Sequence, residues 1–159
     1  MSAYAWWVVA AFFLDWWTGG ALDNKPPWML AAGAVTTLGG ALVGCWLGRG
    51  LPTAGAALLG AGILGCLGLV HLAESASFIP TGPAADCGLL GRALLGAAGI
   101  VLLGLGVAQT LAVLLTAMAG GFGASLLWGK AARRSGRGVR FLAGLSLTIV
   151  CLVTFRGAI

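Results

Sequence analysis

The sequence predicts an all-α integral membrane protein, a bundle of about five transmembrane helices with four to six as the range. Three observations carry that expectation. Of 159 residues, 60% are hydrophobic and only 8% charged, whereas a soluble domain keeps about 25% charged residues to wet its surface. The apolar runs are continuous and about 20 residues long, the length a helix needs to cross hydrocarbon. They lack the polar–apolar alternation, in segments of about 10 residues, that marks a transmembrane barrel. In lipid every backbone N–H and C=O must pair internally, so helices are the solution that remains. The chain from 1 to 159 reads as a single polytopic helical membrane domain.

The first predicted helix runs from about Ala3 to Leu22. Its run "AFFLDWWTGG" carries one carboxylate, Asp15, between aromatics. The segment has no basic leader and an acid where a signal peptide would be apolar, so it reads as a retained helix. "LDNKPPW" then makes a turn holding Asp23 and Lys25. The second helix covers about Trp28 to Gly48, and "RGLPT" ends it. The third covers about Ala54 to Ser77. "FIPTGPAADCG" follows as a loop, because Pro80 and Pro83 have no N–H to donate.

From Leu89 to Gly129 the pattern allows three readings: one long helix, a single span over about 93 to 118 followed by an interfacial segment, or two spans that turn near "GVAQT". The single span is favoured over the two-span turn. The last helix covers about Phe141 to Arg156.

Five of the nine basic residues lie in "KAARRSGRGVR", residues 130 to 140. A basic stretch beside a helix end is an orientation signal, so this loop is expected to be cytoplasmic. Five spans then place the Asp23/Lys25 turn and the 78–88 loop outside and Arg49 inside. Nucleic acid is not an expected partner. The seven tryptophans lie near predicted helix ends, as an interfacial belt requires.

Small residues recur at four-residue spacing, which puts them on one helix face. Gly40, Gly44 and Gly48 form one row, and Ala57, Ala61 and Gly65 another. The longest is Gly104, Ala108, Ala112, Thr116, Gly120 and Ala124. Such rows let helix backbones approach closely in lipid, where hydrophobic driving force between helices is absent. They are expected to pack helices within the protomer or onto other membrane subunits or copies of the chain.

The intramembrane polar residues are the candidate site. In the five-span topology Asp15, His71, Glu74, Arg92 and Arg156 all fall in or beside one leaflet. An ionised group near the bilayer centre costs about 3 kcal/mol on insertion scales. Such groups should therefore face the bundle and find partners: His71 for Asp15, and Arg92 or Arg156 for Glu74. The layer reads as a docking layer or an ion path.

Catalysis is not expected. One histidine cannot build a His-rich metal site, and Ser75, Glu74 and His71 on one helix do not make a hydrolytic triad. The cysteines Cys45, Cys66, Cys87 and Cys151 show no metal spacing. No cofactor and no metal is implied. The expected function is a non-catalytic structural or accessory subunit of a larger membrane complex or homo-oligomer. The alternative is a small proton- or cation-linked transporter or channel using Asp15, His71 and Glu74.

Overall fold

The computed structural model describes residues 3–22, 28–76 and 85–158. Side chains are described at 6–17, 28–76, 88–128 and 137–157. The Asp23/Lys25 turn, most of the 78–88 loop and the side chains of 130–136 lie outside the described residues. What is described is helical, with no strand among these residues.

Helix α1 is Ala3–Leu22, α2 is Trp28–Arg49, α3 is Thr53–Ser75 and α4 is Ala85–Leu102. A last helical stretch, Val107–Ala158, is interrupted by non-helical backbone at Trp128 (φ −121°, ψ 27°). Its two arms are α5, Val107–Trp128, and α6, Arg137–Gly157. By length and composition α2, α3, α5 and α6 can each cross a membrane. The apolar part of α4, Gly88–Leu102, is shorter. Four such helices mark the chain as membrane-embedded.

The favoured single span over 93 to 118 is not what forms. The chain reverses at Leu103–Gly106, just before "GVAQT". The Leu103 amide donates to the Gly99 carbonyl at 3.1 Å and the Gly104 amide to Val101 at 3.0 Å. Gly104 has φ +94°, the left-handed conformation that ends helices and strongly favours glycine. Gly104 therefore belongs to a turn and not to a helix-face row.

That one reversal changes the direction of everything after it. Gly40 and Gly44 of α2 face Leu94 and Ala98 of α4, and Gly48 faces Leu102, so α2 and α4 run parallel. Gly60 of α3 meets Gly99 and Leu102, so α3 and α4 are antiparallel. Gly65 meets Cys151 and Gly68 meets Thr148, so α6 also opposes α3. Phe12 meets Gly96 and Asp15 meets Arg92, so α1 opposes α4, and the reversal at Gly104 makes α5, packed on α1 through Gly120 and Gly121, oppose α4 as well. The helices therefore alternate, α1, α3 and α5 one way and α2, α4 and α6 the other. The 130–140 stretch shares an end with the α3–α4 connection, and Arg156 shares the opposite end with Arg49.

The Gly40–Gly48 row packs as a backbone contact. A Cβ added to Gly44 would stand 2.7 Å from the Ala98 carbonyl oxygen, and one on Gly40 would collide with the Leu94 backbone. The α5 row behaves differently: Ala108, Ala112, Thr116 and Gly120 are all exposed. The main core, with Phe12, Leu64, Ile100, Leu114 and Leu147, gathers all six helices except α2's bulk, which contributes Ala41. A smaller cluster of Trp16, Met29, Leu89, Ala93 and Met118 lies towards the α3–α4 end.

Exposed tryptophans mark both ends. Trp28 and Trp128 are exposed at one, and Trp6, Trp7 and Trp46 at the other. Trp28 and Trp46 stand 18 residues apart on α2, about 27 Å at about 1.5 Å per residue, close to the hydrocarbon thickness of about 30 Å. The pair flanking Asp15 is packed inward: Trp16 is buried against Gly33 and Gly121, and Trp17 is half-buried against Phe13.

Candidate functional site

Four of the five polar residues singled out above come together. Asp15 sits on the core face of α1, with Ala11, Phe12 and Trp16 buried around it. His71 and Glu74 lie three residues apart on α3, so they share a face. Arg92 reaches in from α4, next to the buried Ala93. The Arg92 Nη1 lies 3.4 Å from Asp15 Oδ1, and its Nη2 donates to Glu74 Oε1. His71 Nε2 lies 2.9 Å from Asp15 Oδ1. One guanidinium thus joins two carboxylates, and the quartet ties α1, α3 and α4.

These groups are interior. The side chains of His71 and Asp15 are 1% and 5% exposed, and Arg92 and Glu74 are 16% and 11% exposed. They do not snorkel to the interface.

Arg156 does not join them. It is exposed at the end of α6, twelve residues past Gly144, which packs at the level of Leu72. That is about 18 Å away along the helix. The reversal at Gly104 turned α6 over and carried Arg156 to the far end. In its place the head of α6 brings Arg140, whose charge acts on the Asp15 carboxylate. Sequence reasoning used Arg140 only as part of a basic loop. Its position at the boundary of the last apolar run was the available signal.

Hydrogen-bond chemistry says more about the centre of the quartet. His71 Nδ1 lies 2.9 Å from the Leu67 carbonyl, one turn back on α3. A carbonyl only accepts, so Nδ1 carries a hydrogen. A neutral ring would then present a bare Nε2 to the carboxylate, acceptor against acceptor. A proton between the two atoms, 2.9 Å apart, would turn that contact into an attraction. With one proton there, two carboxylates, one guanidinium and one imidazolium sum to zero charge. A neutral sum is what a group shut away from water requires. Glu74 Oε2 is buried with no hydrogen-bond partner among the described residues.

The packing residues divide as the fold dictates. Gly40, Gly44 and Gly48 face α4. Ala108 and Ala112 are exposed on α5, Gly120 is exposed beside the Phe13 ring, and Gly104 is in the turn. A pair that sequence reasoning missed is Gly68 with Gly144, each of which would bring a new Cβ within 3 Å of the other's carbonyl oxygen. Neither lies in the rows considered, because the match is across helices and not along one. Among the described residues no group of three His, Cys, Asp or Glu side chains could hold a metal. The free thiols of Cys45, Cys66 and Cys151 lie in helices.

No protein family, curated protein or solved structure matches the chain.

Proposed function

We propose that the chain is a multi-pass membrane protein acting as a non-catalytic accessory component of a larger membrane assembly or a homo-oligomer. The observation that carries this reading is the outer face of α5. Ala108, Ala112, Thr116 and Gly120 are exposed in register. A face this smooth offers lipid chains little contact, whereas a second helix can lie close on it. The polar quartet supports the same reading, because its charges are spent on holding three helices of the protomer together.

The intact particle mass in mild detergent tests it. The wild-type particle should exceed one protomer plus detergent, and Ala112→Phe should reduce it to the single chain. A monomeric wild type would overturn the reading.

A second reading, a small proton-linked transporter, is favoured by the buried 2.9 Å approach of His71 to Asp15 and by the spare oxygen of Glu74. It predicts proton flux in reconstituted vesicles that Asp15→Asn abolishes without unfolding the protein. Flux equal to that of empty vesicles would remove it.

If all six alternating helices cross the membrane, the expected orientation changes too. With the 130–140 stretch cytoplasmic, the α3–α4 connection and the quartet lie on the cytoplasmic side and Arg49 on the other. Single cysteines at Ala76, Gly138 and Gly50, in a cysteine-free background, test this with an impermeant thiol reagent on intact cells. Gly50 should label, and Ala76 and Gly138 should be protected together. Opposite behaviour of Ala76 and Gly138 would restore the five-span order.

A further inference from the structure

The end opposite the quartet holds an open groove. Helices α2 and α3 barely touch, because α4 is wedged between them. Where they splay, a cavity of about 400 Å³ is lined by Gly44, Gly48, Arg49, Thr53, Ala57 and Leu102 among others. A second space, of about 700 Å³, adjoins it through Arg49 and Leu51 and is flanked by Trp46. Pockets of about 300 to 1,000 Å³ accept small-molecule ligands.

The groove has two chemically distinct parts. Its floor is Gly, Ala and Leu, with no side chain long enough to fill it. Its mouth is cationic. Arg49 is exposed and has no acidic partner among the described residues. Of the four acids in the sequence, Asp15 and Glu74 are in the quartet, Asp86 is in the first turn of α4 at that same end, and Asp23 directly follows α1. None stands on the α2–α3 or α4–α5 turn. Beside Arg49, α3 begins at Pro52 with no side-chain cap, and its first helical bond is Ala56 N–H to the Pro52 carbonyl at 2.9 Å. The amides of Thr53, Ala54 and Gly55 are thus the free donors of a helix N-terminus, which favours negative charge. Trp46, 72% exposed, sets this mouth at the depth of a membrane interface.

We propose that the groove holds one anionic phospholipid, its phosphate on Arg49 and the first turn of α3 and one acyl chain along Gly48, Ala57 and Leu103. Charge complementarity selects the headgroup, since basic pockets between transmembrane helices bind acidic lipid headgroups. The apolar floor selects a lipid over a free anion. The proposal rests on the membrane-embedded reading, and the protein used to test it is first extracted from the membrane fraction with mild detergent. Failure of that reading therefore shows before any lipid is added.

The test is native mass spectrometry of the detergent-extracted protein with equimolar phosphatidylglycerol and phosphatidylcholine. The wild type should retain one phosphatidylglycerol in about fivefold preference, the worth of one basic side chain at a membrane surface. Arg49→Gln should lose the preference. Gly48→Leu should retain less of both lipids, because it fills the floor, where an added Cβ meets Leu102 at an ordinary 3.7 Å. Ala57→Leu should do the same from the α3 side. Arg156→Gln, a cation at the same end outside the groove, should behave as wild type. An undiminished preference in Arg49→Gln overturns the proposal. So does equal loss in Arg156→Gln, which would mean diffuse attraction, or displacement of the lipid by excess inorganic phosphate.

Discussion

Where α3 stops and α4 begins, Arg92 is shared between two carboxylates and withdrawn from the surface. Where α2 turns into α3, Arg49 is exposed and meets no carboxylate among the described residues. The two arginines have the same chemistry and opposite circumstances. One is an internal tie whose removal strands charge inside the bundle. The other is an exposed charge at a helix end. In a chain with so few charged residues, the location of the acids decides which arginine is which. The same contrast holds for small residues: the α2 row is closed by α4, and the α5 row is open.

The largest effect that could break this comparison comes from Arg92→Leu. It leaves Asp15 and Glu74 without their cation in the interior, where stranding one partner of a buried pair costs about 3 to 5 kcal/mol. Unfolding in detergent should show a loss of that size. A loss below about 1 kcal/mol would mean that the quartet is not a tie.

The small-residue rows give the next effect. Gly40→Val forces side-chain bulk onto the Leu94 backbone and should cost about 1 to 3 kcal/mol, as overpacking does. Ala112→Val, on the open α5 row, should change protomer stability by no more than about 0.5 kcal/mol. Equal costs at the two positions would show that both rows are closed within the protomer.

The smallest effect belongs to Arg49→Gln. As an exposed substitution away from packed features, it should leave stability within about 0.5 kcal/mol of wild type. A loss comparable to that of Arg92→Leu would give Arg49 a partner and erase the distinction between the ends.

The sequence made the class legible, because hydrophobic composition and run length are set by the solvent the protein must face. Helices α1, α2 and α3 lie close to their expected bounds, since charged or proline-containing turns separate them. The α4–α5 reversal was hidden inside an unbroken apolar stretch. Its signal was "GLG" at 104–106, a helix-ending glycine in a chain where glycine is common enough to mask it. Ranking that turn behind the single span misplaced Arg156 and the orientation of α6. The quartet was largely legible because each member lies upstream of the turn. Asp15, His71, Glu74 and Arg92 are rare polar groups, and depth along each helix places them at one level. Their rotational match, Arg92 reaching both acids, depends on tertiary packing that spacing alone does not fix. Arg140 needed the corrected direction of α6.

A single proton closing the quartet in the gap between His71 and Asp15 would leave its mark on the ring nitrogens. His71 is the only histidine in the chain, so labelling histidine with ¹⁵N reports on this ring alone. The predicted spectrum has a protonated Nδ1, bonded to the Leu67 carbonyl, and an Nε2 whose resonance is that of a nitrogen sharing a proton. Asp15→Asn should move the Nε2 resonance and leave Nδ1 in place, because the amide donates its own hydrogen to the ring. An Nδ1 without a hydrogen, or an Nε2 resonance that Asp15→Asn leaves unmoved, would rule out a shared proton between His71 and Asp15.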